Sequence, residues 1–374
     1  MANFVNLLPG DTAPWFRQRS LGNPNYVFDT AAGRWLVLCF HGSARDEHSR
    51  AAIELATARP DVFNDDFASF FAVTADPSDE TEKRVRDRYP GIRHFFDFDL
   101  RAHRLYGAAP AQTGDAPAPT GPLRRVWVAL DPTMRVQKVI PFAPDRSDLA
   151  EMNAFLDSLP RPERFAGFPL QAPILVLPNV FEPEFCQMLI GLYEDNGGVE
   201  SGFMREVDGK TVPVHDHGHK RRKDYMIEDP EVIKQAQNRF IRRVVPQIQK
   251  AHQYRVTRME RYIVCCYDAA DGAHFRAHRD NTTKGTAHRR FAVSVNLNDD
   301  FDGGEVSFPE YGPTGFKAPP GGAVVFSCSL LHAVSKVTRG KRYAFLPFLY
   351  DDEAAKIREA NNAFLGEGVG AYKA

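Results

Sequence analysis

Residues 267–280 read YDAADGAHFRAHRD and contain a histidine and an aspartate two positions apart, His278 and Asp280. On a β-strand, residues at this spacing project from the same face. A neutral imidazole and a carboxylate on one face can supply two ligands to a divalent metal, and one histidine from another strand would complete a set of three. The stretch therefore predicts a metal site in a strand-rich domain.

A third ligand and an anion-binding group are found further along the chain. His332 begins the strand-like run HAVSKV, 52 residues after Asp280. Three protein ligands leave about three positions free on octahedral Fe(II), which is room for a bidentate 2-oxo acid and dioxygen. Arg342 follows ten residues after His332. Its guanidinium can bind a carboxylate through two parallel hydrogen bonds.

This order of residues resembles the Fe(II)/2-oxoglutarate-dependent dioxygenases, and more narrowly their prolyl 4-hydroxylase-like branch. The similarity covers roughly residues 174–350 and includes NLNDDFDGGEVSFP at 296–309 and PPGGAVVFSCSLLHAVSKVTRGKR at 319–342. The resemblance implies a mainly β domain, a double-stranded β-helix or jelly roll, with flanking helices. It also implies hydroxylation of an unactivated carbon with Fe(II), 2-oxoglutarate and O2, release of succinate and CO2, and ascorbate as a further cofactor.

The resemblance assigns roles to single residues. It makes His278, Asp280 and His332 the iron ligands, and it places Arg342 on the distal carboxylate of 2-oxoglutarate. Asn296 stands where many relatives have a tyrosine that supports this carboxylate. Tyr267 is interpreted as a contact for cosubstrate or substrate, with a core aromatic on a strand as the alternative. His274 lies outside the matched pattern and is interpreted as a surface or supporting residue.

The sequence pattern of the amino-terminal half is typical of an α/β domain. The apolar run WLVLCF at 35–40 predicts a strand covered on both faces, and a helix-forming stretch follows it. The run SFFAVTA at 69–75 predicts another strand, with a charged helix expected over Asp79 to Tyr89. RVWVAL at 125–130 and VQKVIPF at 136–142 predict a hairpin. The Ala-, Pro- and Gly-rich segment from Ala108 to Pro122 is expected to be a mobile loop.

This half, including GDTAPWF at 10–16, resembles the peroxiredoxin-like branch of the thioredoxin fold. Catalysis in that family needs a thiolate in the first turn of the helix after the first apolar strand, where amide groups lower its pKa. Ser49 occupies that position, and Cys39 lies inside the strand. We therefore expect a non-catalytic domain that serves stability, dimerisation or substrate capture.

Together these patterns predict two domains. Residues 1–159 form the peroxiredoxin-like domain, residues 160–173 a Pro-rich linker, and residues 174–374 the dioxygenase domain. Helices are expected around Phe185 and from Pro230 to about Gln253, with a kink or an early end at Pro246.

The composition of the chain limits the classes of binding partner that are expected. The 47 Lys and Arg against 48 Asp and Glu give a net charge of -1, so neither nucleic acid nor a membrane is expected as a partner. The five cysteines form no CxxC pair, and no leader or long apolar run is present, which favours the cytoplasm. The expected partner is a peptidyl or small-molecule substrate, and a homodimer is an open expectation.

Two other functions stay open at the level of sequence. One is a thiol-dependent peroxidase or redox protein, which the serine at position 49 disfavours because it lacks a thiol. The other is a module that senses iron or 2-oxoglutarate without turnover. The segment His215 to Lys223, rich in His, Lys and Arg, has no evident periodicity and is interpreted as a solvated loop near the mouth of the site, with substrate contact as the minority reading.

Overall fold

The computed structural model describes residues 3–112 and 121–373. It divides into two compact units. The first comprises Met1–Gln171 and Pro309–Gly312, and the second comprises Ala172–Phe308 and Pro313–Ala374. Both units combine helices with β-sheet, so the mixed α/β character predicted from the sequence is confirmed.

The first unit is built on a five-stranded sheet. The strands of the whole unit are β1 (Arg17–Gln18), β2 (Tyr26–Val27), β3 (Trp35–Gly42), β4 (Ala68–Thr74), β5 (Ile92–Phe96), β6 (Val126–Leu130) and β7 (Val136–Pro141), of which β1 and β2 form a separate pair. Its helices are α1 (Glu47–Thr57), α2 (Ser78–Thr81), α3 (Arg101–Leu105) and α4 (Ser147–Ser158). The sheet order is β5-β4-β3-β6-β7, in which β3, β4 and β5 are mutually parallel and β6 is antiparallel to both of its neighbours.

The central strand β3 is where the sequence predicts it. Seven of its eight residues are buried, as expected for an apolar run covered on both faces. Helix α1 starts after Asp46, whose carboxylate accepts a hydrogen bond from the backbone amide of Ser49 and caps the helix. The predicted hairpin is the β6–β7 pair.

One expectation in this unit is wrong, and another falls largely outside the described residues. The helix expected over Asp79 to Tyr89 is wrong in length, because α2 ends at Thr81. Lys83 has a positive φ of 54°, which leaves the right-handed helical region. The Asp79 carboxylate binds the amide of Ala44 and the guanidinium of Arg84, so tertiary contacts override local helix propensity. Of the loop predicted from Ala108 to Pro122, residues 113–120 lie outside the described residues.

The second unit is richer in strands. Its helices are α5 (Pro183–Asn196), α6 (Pro230–Arg243), α7 (Val245–His252) and α8 (Asp352–Ala360). Its strands as far as the predicted metal site are β8 (Leu175–Leu177), β9 (Val199–Glu200), β10 (Phe203–Val207), β11 (Lys210–Val214), β12 (Lys220–Arg221), β13 (Lys223–Met226), β14 (Arg258–Glu260), β15 (Ile263–Asp268) and β16 (His274–His278). The others are β17 (Phe291–Asn296), β18 (Val306–Ser307), β19 (Gly315–Phe316), β20 (Ala323–Ser327), β21 (His332–Val334), β22 (Lys341–Phe345) and β23 (Phe348–Tyr350).

Two larger sheets of this unit carry the predicted site residues. The smaller sheet has the order β12-β16-β21-β18-β19. The larger sheet runs β14-β23-β17-β22-β15-β13-β9, with β20 paired to β17 and β8 paired to β20. Apolar residues of α5, α6 and α7 pack with the larger sheet in one buried cluster that includes Leu189, Phe240, Ile248 and Phe345. This packing stabilises the larger sheet, on which Tyr267 and Arg342 stand.

The helix expected from Pro230 to about Gln253 is interrupted as predicted. α6 ends at Arg243 and α7 begins at Val245, with Pro246 in its first turn, where a missing N–H costs no intrahelical bond. Within the described ranges, no helix combines the length and the apolar composition that crossing a membrane requires.

Candidate metal centre

The structure brings His278, Asp280 and His332 together. One nitrogen from each histidine and one carboxylate oxygen all lie within 4.8 Å of one another. The Nε2 atom of His278 is 3.6 Å from Oδ1 of Asp280, and the Nε2 atom of His332 is 3.4 Å from Oδ2. In an octahedral site with bonds of about 2.1 Å, neighbouring donor atoms lie about 3 Å apart, so this spacing fits a divalent metal.

The local route to this geometry differs from the predicted one. His278 is the last residue of β16 and faces His332, the first residue of β21, as a direct Cα partner. The register shifts between Phe275 and His278, which marks a bulge. Asp280 lies beyond the strand, where its amide donates to the carbonyl of Cys328. The two side chains therefore converge through a bulge and a turn, rather than through simple alternation along a strand.

Both histidines present the same nitrogen to the centre. Nδ1 of His278 lies 2.8 Å from the carbonyl oxygen of Arg276, and Nδ1 of His332 lies 3.0 Å from that of Leu330. Since a carbonyl oxygen only accepts, each Nδ1 carries a proton, and a neutral ring in this tautomer has its lone pair on Nε2. This is the tautomer that a metal ligand needs, and it is fixed by the backbone.

Burial and mutual contact tune the charges of the site. Burial and, after it, the neighbouring His332 lower the pKa of His278 to about 4, so His278 is neutral at pH 7. Burial alone would raise the pKa of Asp280, but His332 and His278 hold it below its ordinary value. The centre thus offers two imidazoles and one carboxylate, a donor set that suits Fe(II). The ring of Phe275 stacks on His278 at 3.5 Å between centroids and limits its movement.

Arg342 lies on the larger sheet of the same unit and is only 2% exposed. Its Nε donates to Oδ1 of Asn296 at 3.0 Å, and its Nη2 donates to the hydroxyl of Ser294 at 2.7 Å. Within the described part of the chain, no carboxylate forms an ion pair with it. A buried guanidinium without a counter-ion is costly, so the site fits an anionic ligand such as the carboxylate of 2-oxoglutarate.

The other two predicted contacts have distinct surroundings. The amide nitrogen of Asn296 donates to the carbonyl oxygen of Ala318 at 2.8 Å, while its oxygen accepts from Arg342. Tyr267 is directly opposite Arg342 across the β15–β22 pair, and the guanidinium carbon lies 5.3 Å from the centre of its ring. The sequence did not predict that Ser294 contacts Arg342. A hydroxyl two residues before Asn296 in an apolar strand nevertheless indicates a side chain on the same face as Asn296.

The prediction of a solvated loop over His215 to Lys223 is wrong at its carboxyl end. Lys220 lies in β12 and pairs with Phe275, and Lys223 opens β13. Lys220 and Arg222 are buried, whereas the intervening Arg221 is exposed. Edge pairing with β16 and contacts to backbone and side-chain oxygens satisfy these charged groups, and this permits their burial. The end of the segment therefore pairs with β16, the strand that ends in His278.

Two other histidines, His219 and His274, have different surroundings. The ring of His219 is 6.4 Å from that of His278, and burial lowers its pKa to about 4. His274 bonds the carbonyl oxygen of Gly272 through Nδ1 at 2.9 Å and is not one of the three converging groups.

In the first unit, Ser49 stands in the first turn of α1, where the resemblance would require a thiol. Its hydroxyl is buried and donates to the carbonyl oxygen of His41 at 2.7 Å. All five cysteines of the chain are free and buried. Burial raises the pKa of Cys39 well above its ordinary value and that of Cys266 to about 12.

The native thiols are therefore expected to react slowly with a maleimide at pH 7. Burial raises the pKa of Cys186 to about 11, about two units above its ordinary value, which alone lowers its thiolate fraction about 100-fold. Labelling followed by mass spectrometry measures this, with denatured protein as the control in which all five thiols react. Rapid labelling of native Cys39, or peroxide turnover lost on Cys39→Ser, would contradict the expectation.

Part of the second unit is similar to a known protein family. Residues 259–350 match the family model described as the 2OG-Fe(II) oxygenase superfamily. A PKHD-type hydroxylase of Synechococcus sp. (strain JA-2-3B'a(2-13)) is 32% identical over 89 residues, 22% of this chain and 39% of that protein. A PKHD-type hydroxylase of Paracoccus denitrificans (strain Pd 1222) is 41% identical over 83 residues, 20% of this chain and 37% of that protein. The chain thus spans less than two-fifths of the length of these curated relatives.

Solved structures of two kinds are similar to this chain. A prolyl hydroxylase from Trichoplax adhaerens, in complex with a hypoxia inducible factor oxygen degradation domain peptide fragment, has a TM-score of 0.39 and 18% identity, covering 49% of this chain and 86% of its own. Peroxidoxin BcpB from Mycobacterium tuberculosis has a TM-score of 0.35 and 16% identity, covering 41% of this chain and 99% of its own. All three converging side chains and Arg342 lie within residues 259–350, the segment that matches the 2OG-Fe(II) oxygenase superfamily model.

Proposed function

We propose that the second unit is an Fe(II)- and 2-oxoglutarate-dependent dioxygenase that hydroxylates an unactivated carbon of a peptidyl-prolyl or small, amino-acid-like substrate. The observation that carries the proposal is the convergence of two histidine Nε2 atoms and one carboxylate in the same unit as a buried arginine that pairs with no carboxylate of the described residues. We further propose that the two larger sheets form a double-stranded β-helix. The PKHD-type hydroxylases and the prolyl hydroxylase to which the chain is similar support the choice of hydroxylation.

The residues would divide the work as follows. His278, Asp280 and His332 would hold the metal, and Arg342, steadied by Ser294 and Asn296, would bind the distal carboxylate of 2-oxoglutarate. Bound Fe(II) supplies the redox chemistry by which dioxygen and 2-oxoglutarate convert a C–H bond to C–OH, with succinate and CO2 as co-products. The protein positions the reactants and, through the surrounding Phe275 and Phe326 rings, keeps water from the centre. Ascorbate is proposed as an additional reductant.

An anaerobic absorbance titration tests the proposal. We expect a charge-transfer band that requires both Fe(II) and 2-oxoglutarate and does not form with either alone, because it needs the cosubstrate to bind the metal. The same protein in air should release succinate, with more of it when a true substrate is present. A folded protein that gives no band at saturating Fe(II) and 2-oxoglutarate would contradict the metal site. A band without succinate above the metal-free control would favour the sensing role.

A further inference from the structure

Tyr267 lies between two buried arginines. On one side, β22 places Arg342 directly opposite it. On the other side, β13 pairs with β15 so that Lys223 faces Cys266, and Arg222, which precedes β13, therefore lies beside Tyr267. The guanidinium carbons of Arg222 and Arg342 are 5.6 and 5.3 Å from the centre of the Tyr267 ring. We refer to Arg222, Tyr267 and Arg342 as the arginine row.

The orientation of Arg222 is fixed by a neighbouring carboxylate. Its Nε and Nη2 atoms donate to the two oxygens of Asp224, both at 2.7 Å. Asp224 is itself held by the hydroxyl of Ser201 at 2.6 Å and by Arg261 at 3.2 Å. This fork leaves Nη1 of Arg222, which donates to the hydroxyl oxygen of Tyr267 at 3.3 Å.

This hydrogen bond determines where the proton of Tyr267 can point. A guanidinium has no acceptor, so the phenol cannot donate back to Arg222 and its own proton must be directed elsewhere. The structure records no acceptor for that proton among the described residues. Burial raises the pKa of Tyr267 although the two arginines lower it, so the phenol stays protonated at neutral pH. The Tyr267 hydroxyl is thus a buried hydrogen-bond donor with no acceptor among the described residues.

A second donor is available on the same face of the sheet. Arg342 uses Nε and Nη2 for Asn296 and Ser294, and the described part of the chain provides no partner for its Nη1. The surroundings carry more positive than negative charge, since Arg222 and Arg261 share the single carboxylate of Asp224 and Arg342 pairs with no carboxylate of the described residues. An anion that accepts from both donors would satisfy the row.

We propose that Arg222 is a positioning residue, which turns the hydroxyl proton of Tyr267 toward the 2-oxoglutarate carboxylate that Arg342 binds. The inference rests on the proposed function, since the anion is its cosubstrate. Arg222 acts through Tyr267 and does not contact the cosubstrate. Its contribution therefore depends on the Tyr267 hydroxyl being present.

A double-mutant cycle on 2-oxoglutarate affinity tests this dependence. The four proteins are the wild type, Arg222→Lys, Tyr267→Phe and the double variant, each loaded with Mn(II) and titrated with 2-oxoglutarate by calorimetry. Arg222→Lys keeps the positive charge but loses the directed hydrogen bond. We expect each single variant to weaken binding about tenfold, and the double variant to be no weaker than Tyr267→Phe within about twofold.

Controls separate this role from a structural one. Arg221→Lys alters the exposed neighbouring arginine, which donates to the backbone carbonyl oxygens of His217 and Asp271, and should change 2-oxoglutarate affinity less than about twofold. Mn(II) affinity and the melting temperature without cosubstrate report folding. If Arg222→Lys does not fold, Asp224→Asn replaces it, because it releases the fork while keeping Arg222, and the same cycle with Tyr267→Phe applies.

The outcomes are distinct. If the two effects multiply in the double variant, or if Arg222→Lys leaves affinity unchanged, the positioning role is wrong while the proposed function stands. If the Mn(II)-loaded wild type does not bind 2-oxoglutarate at all, the proposed function fails and the positioning role fails with it. Loss of the Arg222 effect in the Tyr267→Phe background supports the inference.

Discussion

Substitution of Asp280 by alanine is expected to abolish stoichiometric Fe(II) binding and to lower 2-oxoglutarate turnover at least about 1,000-fold, well beyond the cost of losing an outer hydrogen-bond partner. The carboxylate lies between the two Nε2 atoms and contributes the only negative charge among the three converging groups. Without it, two neutral imidazoles must hold a dication in a buried site. Metal content by mass spectrometry and succinate release measure the two effects.

His274→Ala is the matched control for this prediction. His274 stands on the same strand, β16, and is half-buried, but its ring bonds backbone carbonyl oxygens of Gly272 and Gly218 instead of the centre. It should retain metal binding and turnover within about twofold. Retention of one Fe(II) per chain by the Asp280 variant would show that the metal is bound elsewhere.

Arg342→Gln is expected to raise the dissociation constant for 2-oxoglutarate at least about 100-fold, which corresponds to about 3 kcal/mol. The guanidinium is buried, lacks a carboxylate partner among the described residues, and has its orientation fixed by Ser294 and Asn296. Because the variant removes an uncompensated buried charge, the protein without cosubstrate should melt no lower than the wild type. Melting curves with and without 2-oxoglutarate measure both effects.

The size of the thermal shift provides the internal comparison. A ligand that binds only the folded protein stabilises it by RT ln(1 + [L]/Kd), so the stabilisation by 2-oxoglutarate should nearly vanish in Arg342→Gln. Arg339→Gln removes an exposed arginine that pairs with Asp302 and should leave the shift intact. An Arg342 variant that keeps the wild-type shift would place the cosubstrate carboxylate elsewhere.

The convergence of His278, Asp280 and His332 could be predicted because two of these residues are close in the sequence and the third begins a strand. His278 and Asp280 are two residues apart, and His332 is the first residue of β21, shortly after β20 ends at Ser327. The path between them could not be predicted, since the bulge before His278 is set by pairing with β21, which is distant in sequence. The central apolar strands and the interrupted helix at Pro246 were predictable for the same reason, because each is encoded locally.

The buried charges beside the site show what local patterns miss. Lys220, Arg222 and Asp224 are spaced by two and face inward, while Arg221 and Lys223 are exposed. Buried and exposed positions therefore alternate as they do on a strand. From the sequence alone, however, charged residues are expected to face solvent, and their burial can be predicted only when their partners are known. Those partners, Ser201 and Tyr267, come from other parts of the chain. The helix predicted over Asp79 to Tyr89 failed for a similar reason, because the Asp79 carboxylate binds groups outside it.

The cap of α1 determines what a thiol at position 49 could do. Position 49 is closed to solvent, and its side-chain oxygen lies 3.4 Å from the Asp46 carboxylate that caps the helix. A cysteine introduced there would meet a negative charge and burial, both of which disfavour the thiolate. A reactive sulfur at this position would require opening the site and replacing the cap together, and loss of the cap alone costs helix stability. A single substitution at position 49 is therefore not expected to create a peroxidase in the first unit.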